Sequence, residues 1–253
     1  MPQALAVQLY SLREALAQDF NAVIARLGQI QYAAVEPFAG LPLSPAEAKA
    51  QFDAHGLAVK SAHLPLPLGD SQQESLETAA IYELDYLVIP YLPAEDFASL
   101  DAIKRTADRL NEANAVTRSA GMTLCYHNHW WEFASLDGEI IFDTLLTYLE
   151  ESIAFEMDTY WVQVAGQSPL HFIQKLGARL PLLHIKDGPA TNPEAAMLAV
   201  GEGVMDFHAI IKAADPYTQW LVVELDRCDT DMMTAIEKSY HYLVDEGLGR
   251  GAQ

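Results

Sequence analysis

The stretch IAFEMDTYWVQVAGQSPLHFIQKLGARLPLLHIKD (153–187) holds one complete structural period. A continuous apolar run, IAFEMD (153–158), ends in a carboxylate. SPLHFIQKLGA (168–178) then places apolar residues three and four apart, the spacing of one helix face. A second continuous run, LPLLHIKD (180–187), again ends in ionisable residues. Runs that are apolar throughout, rather than alternating, suit parallel strands buried on both faces.

The same period recurs in both directions. ALAVQLYSL (4–12), YAAVEPF (32–38), GLAVKSAHLPL (56–66), YLVIPYL (86–92) and MTLCYHNH (122–129) come before it, and WLVVELD (220–226) after it. Each run leads into a helix-like segment. SPAEAKAQFDAHG (44–56) has Ser44 as N-cap, Pro45 at the first helical position and Gly56 at its end. A long helix is expected over 93–120, and others over 16–29, 71–83, 140–150, 205–214 and 231–246. Eight strand–helix units predict a single (β/α)₈ TIM barrel over 1–253, a fold that needs about 250 residues. A doubly wound sheet is the rival, but it would place a Gly-rich phosphate loop after an early strand, and none follows the first two. No linker or low-complexity tract divides the chain.

Composition narrows the function. Apolar residues make up 51% of the chain, enough for a sizeable core. Against 15 Lys and Arg stand 35 Asp and Glu, a formal net charge of −20. Such a surface repels nucleic-acid phosphates and anionic lipid, so neither is an expected partner. Cys125 and Cys228 are read as reduced thiols. No apolar run approaches the roughly 18 residues of a membrane span, and MPQALAVQLYSL carries no basic leader pattern; a cytoplasmic location is expected.

The polar residues fall at the strand ends. Gln8, Glu36 and His63 end the first three runs; His127, Asn128 and His129 end the fifth, with Glu132 just beyond. Asp158 ends the sixth, His184 and Lys186 the seventh, Glu224 and Asp226 the eighth. In a barrel these ends share one mouth, where active sites lie. Carboxylates and imidazoles gathered there repel one another unless a divalent cation compensates them. A mixed oxygen and nitrogen donor set suits Mn²⁺, Zn²⁺, Co²⁺ or Fe²⁺, and Mg²⁺ less well.

The ordered set VEPF (35–38), SAHLPL (61–66), YHNHWWEF (126–133), EMDTYW (156–161), HIKD (184–187), GEGVMDF (201–207) and VVELD (222–226) resembles the sugar phosphate isomerase/epimerase family. These are the xylose isomerase-like TIM barrels, related to the AP endonucleases. The resemblance implies a metal held from strands five to eight, here by Asp158, His184 and Glu224. His127 is the favoured fourth ligand, with His129 and Glu132 as rivals. It also implies a homo-oligomer. Relatives often carry a His where this chain has Trp161, which weakens the nuclease reading. Asp206 and His208 could imitate another ligand motif, although Asp206 reads better as a helix N-cap.

The expected enzyme is a metal-dependent isomerase or epimerase of a sugar, keto-sugar or related polyol. It removes a proton beside a carbonyl through a metal-stabilised enediolate. Glu132 and Glu224 are the acid/base candidates, and Lys186 would polarise a substrate oxygen. Glu36, His63, His129, Trp130 and Trp161 are candidate substrate contacts, the rings by stacking on sugar C–H faces. The Gly201/Gly203 turn makes a poor phosphate cradle because Glu202 lies inside it, so a neutral substrate is preferred. A dehydratase or lyase on a keto-polyol or keto-glycoside is the main alternative. An abasic-site endonuclease and a non-catalytic sugar-binding barrel rank below it.

Overall fold

In the computed structural model, which describes residues 2–252, every expected run contains a strand. They are β1 (Gln3–Gln8), β2 (Ala34–Glu36), β3 (Ala58–Val59), β4 (Ser61–His63), β5 (Tyr86–Ile89) and β6 (Thr123–His127). A small hairpin, β7 (Ser135–Leu136) and β8 (Glu139–Ile140), stands apart. Then come β9 (Ala154–Asp158), β10 (Leu182–Ile185), β11 (Trp220–Val223) and β12 (Gly249–Arg250). The sheet order is β3-β2-β1-β11-β10-β9-β6-β5-β4, all parallel, with β12 beside β1.

The third run is split at Lys60. Its first half pairs with β2 and its second with β5. A bridge between Phe38 and His63, with His63 N donating to Pro37 O at 2.8 Å, draws the two ends together into a nearly closed barrel. The expected barrel is thus the observed one.

Caps set the helix boundaries. Ser44 Oγ accepts from Glu47 N, and Glu47 Oε2 accepts from Ser44 N at 3.1 Å, opening the helix Pro45–Ala54. Asp206 Oδ1 accepts from Ala209 N at 3.0 Å and opens Phe207–Ala214. His208 instead lies beside Glu246 on the surface, so the pair is a cap and not a ligand motif. The long helix expected over 93–120 is two pieces, a 3₁₀ turn (Ala94–Phe97) and the helix Leu100–Ser119. Ser99 Oγ accepts from Ala102 N at 3.2 Å and restarts the helix. Among the described residues no helix is long and apolar enough to cross a membrane.

Side chains alternate in and out along each strand. The lower barrel interior is apolar: Val88, Cys125, Ala154 and Leu182 pack together, as do Ala6, Ala34 and Val222. Two residues further along, the same inward faces carry His127, Glu156, His184, Gln8, Glu36 and Glu224. The interior therefore changes from hydrocarbon to charge within one layer of side chains.

Candidate metal centre

Donor atoms of His127, Asp158, His184 and Glu224 lie within 4.8 Å of one another, and all four residues are buried. Local structure aims each of them. Asn128 joins the ends of β6 and β9: its Oδ1 accepts from Asp158 N at 3.1 Å and its Nδ2 donates to Asp158 O at 3.2 Å. Asp158 also caps the helix Thr159–Val164, its Oδ1 accepting from Trp161 N at 3.0 Å. Its Oδ2 is left turned into the cluster, 3.9 Å from His127 Nε2. His184 is held on both sides, with Nδ1 2.9 Å from Glu224 Oε2 and Nε2 3.0 Å from Glu36 Oε1.

A lysine ammonium stands beside these groups. Lys186 Nζ lies 2.9 Å from Asp158 Oδ2, 2.7 Å from Glu224 Oε2 and 2.7 Å from Asp226 Oδ2. Burial alone would favour neutral lysine, but the three carboxylates hold its pKa well above the ordinary value. Burial likewise pushes Glu224 upward, yet Lys186 and His184 override it and keep the carboxyl well below the usual range. At Asp158 burial wins and raises the pKa to about 6, against the pull of Lys186 and His184. Burial and the neighbouring His184 lower His127 to about 3, so its imidazole is neutral and free to donate a lone pair.

Beneath the cluster lies Glu156, which the sequence reading passed over. Its Oε2 is 2.6 Å from His63 Nε2, 3.0 Å from His184 Nε2 and 3.4 Å from His127 Nδ1. The available signal was the strand period: Glu156 is two residues before Asp158 and shares its inward face.

The other expected residues divide into two groups. A pocket of about 410 Å³ opens over the cluster, with His63, His127, His129, Glu224 and Asp226 on its polar side. Tyr10, Phe38, Leu64, Pro65, Pro90 and Tyr91 form its apolar collar; Phe38, Leu64 and Pro65 come from the VEPF and SAHLPL stretches, and none of the six was expected in the site. Glu36 does not reach this pocket. It is wholly buried and accepts from Gln8 Nε2 at 2.7 Å and from Ser61 Oγ, so it holds neighbours instead of substrate. Trp130 and Trp161 pack on each other at 4.8 Å behind the cluster, with Lys186 Nζ 5.3 Å from the Trp161 ring centre. Glu132 is also turned away: its Oε1 accepts from Tyr126 OH at 2.5 Å and its Oε2 from His129 N at 3.0 Å. Tyr126 points out of the barrel, because its neighbours Cys125 and His127 point in.

The Gly201/Gly203 turn has a resident anion of its own. Asp187 Oδ2 accepts from Gly201 N at 2.9 Å and Gly203 N at 3.1 Å, and Oδ1 from Met205 N at 3.1 Å and Gly188 N at 2.8 Å. The backbone donors that could cradle a phosphate are engaged by this side chain.

The chain's own donors fit a divalent ion. Two carboxylates balance its charge, and two imidazoles complete a four-donor set that zinc, manganese, cobalt and iron accept. Asp158 Oδ2 has the Lys186 ammonium at 2.9 Å and His127 Nε2 at 3.9 Å, and the latter separation suits two donors that share one ion.

A sequence profile for xylose isomerase-like TIM barrels matches residues 6–244. A sugar phosphate isomerase/epimerase from Parabacteroides distasonis superposes with a TM-score of 0.83 at 25% identity, covering 99% of this chain and 96% of that one. The structure of an IOLI protein with a bound zinc atom superposes with a TM-score of 0.72, covering 97% of each chain; at 14% identity the likeness is one of fold. The inosose dehydratase of Clostridium beijerinckii is 27% identical over 142 residues, 49% of this chain and 47% of that protein. The chain thus spans about half the length of the curated relatives it matches.

Proposed function

The chain belongs to the xylose isomerase-like TIM barrel family, and we propose that it is a divalent-metal-dependent dehydratase of a neutral keto-polyol of the inosose type. The observation that carries this reading is the convergence of His127, Asp158, His184 and Glu224 beside a pocket that His127 and Glu224 line. Similarity to inosose dehydratases favours loss of water over isomerisation.

A divalent ion held by those four residues would stabilise negative charge on the substrate oxygens as the proton leaves the adjacent carbon. The chain's own residues do the rest. Glu224 lines the pocket and is the candidate base. Lys186, held by Asp158, Glu224 and Asp226, keeps a fixed positive charge close to the developing oxyanion. His63 borders the same space and is the candidate proton carrier to the departing β-hydroxyl: burial lowers its pKa, but Glu36 and Glu156 together hold it above the ordinary value, whereas burial keeps His129 neutral. Tyr10, Phe38 and Tyr91 offer faces to substrate C–H groups and narrow the access of water. Asp187 fills the glycine turn, and the polar side of the pocket carries two carboxylates, which favours a neutral substrate over a sugar phosphate.

An isomerase or epimerase is the second reading, favoured by the full-length likeness to the Parabacteroides protein. Both reactions begin with the same proton abstraction. The test is incubation of metal-replete protein with inososes and keto-sugars in heavy water, read by mass spectrometry and NMR. Loss of one water identifies the dehydratase. Retained molecular composition with deuterium on carbon identifies the isomerase or epimerase. No exchange and no product with any substrate removes both.

A further inference from the structure

We propose that Glu156 is the positioning carboxylate that decides which nitrogen each histidine presents to the metal, an inference that rests on the metal-centre reading above. The geometry has two tiers. In the upper tier His127 Nε2 faces Asp158 Oδ2 at 3.9 Å, and His184 Nδ1 faces Glu224 Oε2 at 2.9 Å. Those are the nitrogens on the side of the four-donor cluster. In the lower tier the opposite nitrogens, His127 Nδ1 and His184 Nε2, lie 3.4 Å and 3.0 Å from one oxygen, Glu156 Oε2. The same oxygen is 2.6 Å from His63 Nε2, whose ring stacks on His184 with centres 5.3 Å apart.

A neutral imidazole carries one N–H. A carboxylate below the ring draws that proton downward and leaves the upper nitrogen's lone pair for the metal. Glu156 is fully buried, and its other oxygen, Oε1, has no hydrogen-bond partner. A buried carboxylate so placed is costly unless the groups around its engaged oxygen need it. The aligned hydrogen bond of His184 Nε2 goes to Glu36 Oε1 at 3.0 Å, and Glu36 is also 3.2 Å from His63 Nε2, so Glu36 and Glu156 share the lower side of His184. Among the described residues, the imidazole contacts of Glu36 are those to His63 and His184, not to His127. Glu156 is therefore the carboxylate that spans both histidine ligands.

The test is a Co²⁺ titration of chelator-stripped protein, followed by the visible absorption of the bound ion, for the wild type, Glu156→Gln and Glu156→Asp. The wild type should take up one equivalent. Glu156→Gln should bind about 10- to 100-fold more weakly, the cost typical of losing an outer partner, yet give the wild-type spectrum at saturation because the four direct ligands remain. Melting of the metal-free variant separates lost affinity from a lost fold: a merely structural role would lower the melting temperature yet leave the Co²⁺ affinity of the folded protein unchanged. Glu156→Asp keeps the charge on a shorter arm and should fall between the two; it carries the test if the Gln variant does not fold. Unchanged affinity in the folded variants overturns the proposal while leaving the metal centre intact. Two equivalents, or an altered spectrum at saturation, would make Glu156 a direct ligand and overturn its outer role. Failure of the wild type to bind Co²⁺ overturns both this proposal and the metal-centre reading.

Discussion

Lys186 Nζ lies 2.9 Å from Asp158 Oδ2, so an ammonium and a candidate metal ligand share one buried contact. The same nitrogen touches Glu224 and Asp226, and Lys186 is buried among these carboxylates. Removing one partner of a buried ionic group leaves uncompensated charge, at a cost of about 3–5 kcal/mol. Lys186→Met should therefore destabilise the metal-free protein by about that amount. A divalent ion would supply the missing positive charge, so added Zn²⁺ should raise the melting temperature of the variant more than that of the wild type. An equal rise in both would mean that the lysine and the ion do not compensate the same carboxylates.

Asp158→Ala and Glu224→Ala each remove one of the four convergent donors. Losing a direct ligand should weaken metal binding by more than the roughly 100-fold that an outer partner costs. Elemental analysis of purified protein is the check. Metal content should drop from about one equivalent to well below it, and turnover should fall in step. Normal content in both variants would remove these two residues from the ligand set.

Much of this was readable because parallel strands, buried on both faces, leave continuous apolar runs with sharp ends. Asp158, His184 and Glu224 stand at such ends, where a carboxylate or imidazole contrasts with the hydrocarbon before it. Glu156 was hidden for the opposite reason. It lies inside a run, flanked by Phe155 and Met157, and only the two-residue strand period links it to Asp158. Glu132 illustrates a different limit. Spacing in a loop does not fix direction, and Tyr126, on the outer face of β6, holds the carboxylate away from the pocket. The collar residues Tyr10 and Tyr91 follow strand ends, the first in a single 3₁₀ turn (Leu9–Leu12) and the second in irregular backbone, where the strand period no longer marks an inward face.

The glycine turn yields a stability prediction. A Cβ at Gly203 would run into the Asp187 carboxylate and the Gly188 backbone. Gly203→Ala should cost about 1–3 kcal/mol, the usual price of forced overpacking, measured as a lower urea midpoint. Inorganic phosphate should not protect the wild type against urea through this turn, because Asp187 already engages the donors. Phosphate protection that disappears in Gly203→Ala would show the turn to be an anion site after all.

Glu132 supplies a prediction with a sign. Burial is the largest influence on its carboxyl and raises it to about 7 from the ordinary 4.5, despite the hydrogen bonds from Tyr126 and His129. The folded chain thus holds this proton more tightly than the unfolded chain does. Its contribution to stability is complete below the unfolded value and is lost as pH rises through about 7. Glu132→Gln removes the ionisation while keeping an acceptor for His129 N and a donor for Tyr126. Relative to the wild type, the variant should gain stability between pH 5 and 8, by about 3 kcal/mol at most. Chemical denaturation across that range is the measurement, and a stability difference that does not change with pH would count against a buried, ionising Glu132. Because both oxygens are held behind β6, the same variant should keep its metal and most of its turnover. Loss of solvent deuterium exchange into substrate, with metal retained, would instead return Glu132 to the role of catalytic base.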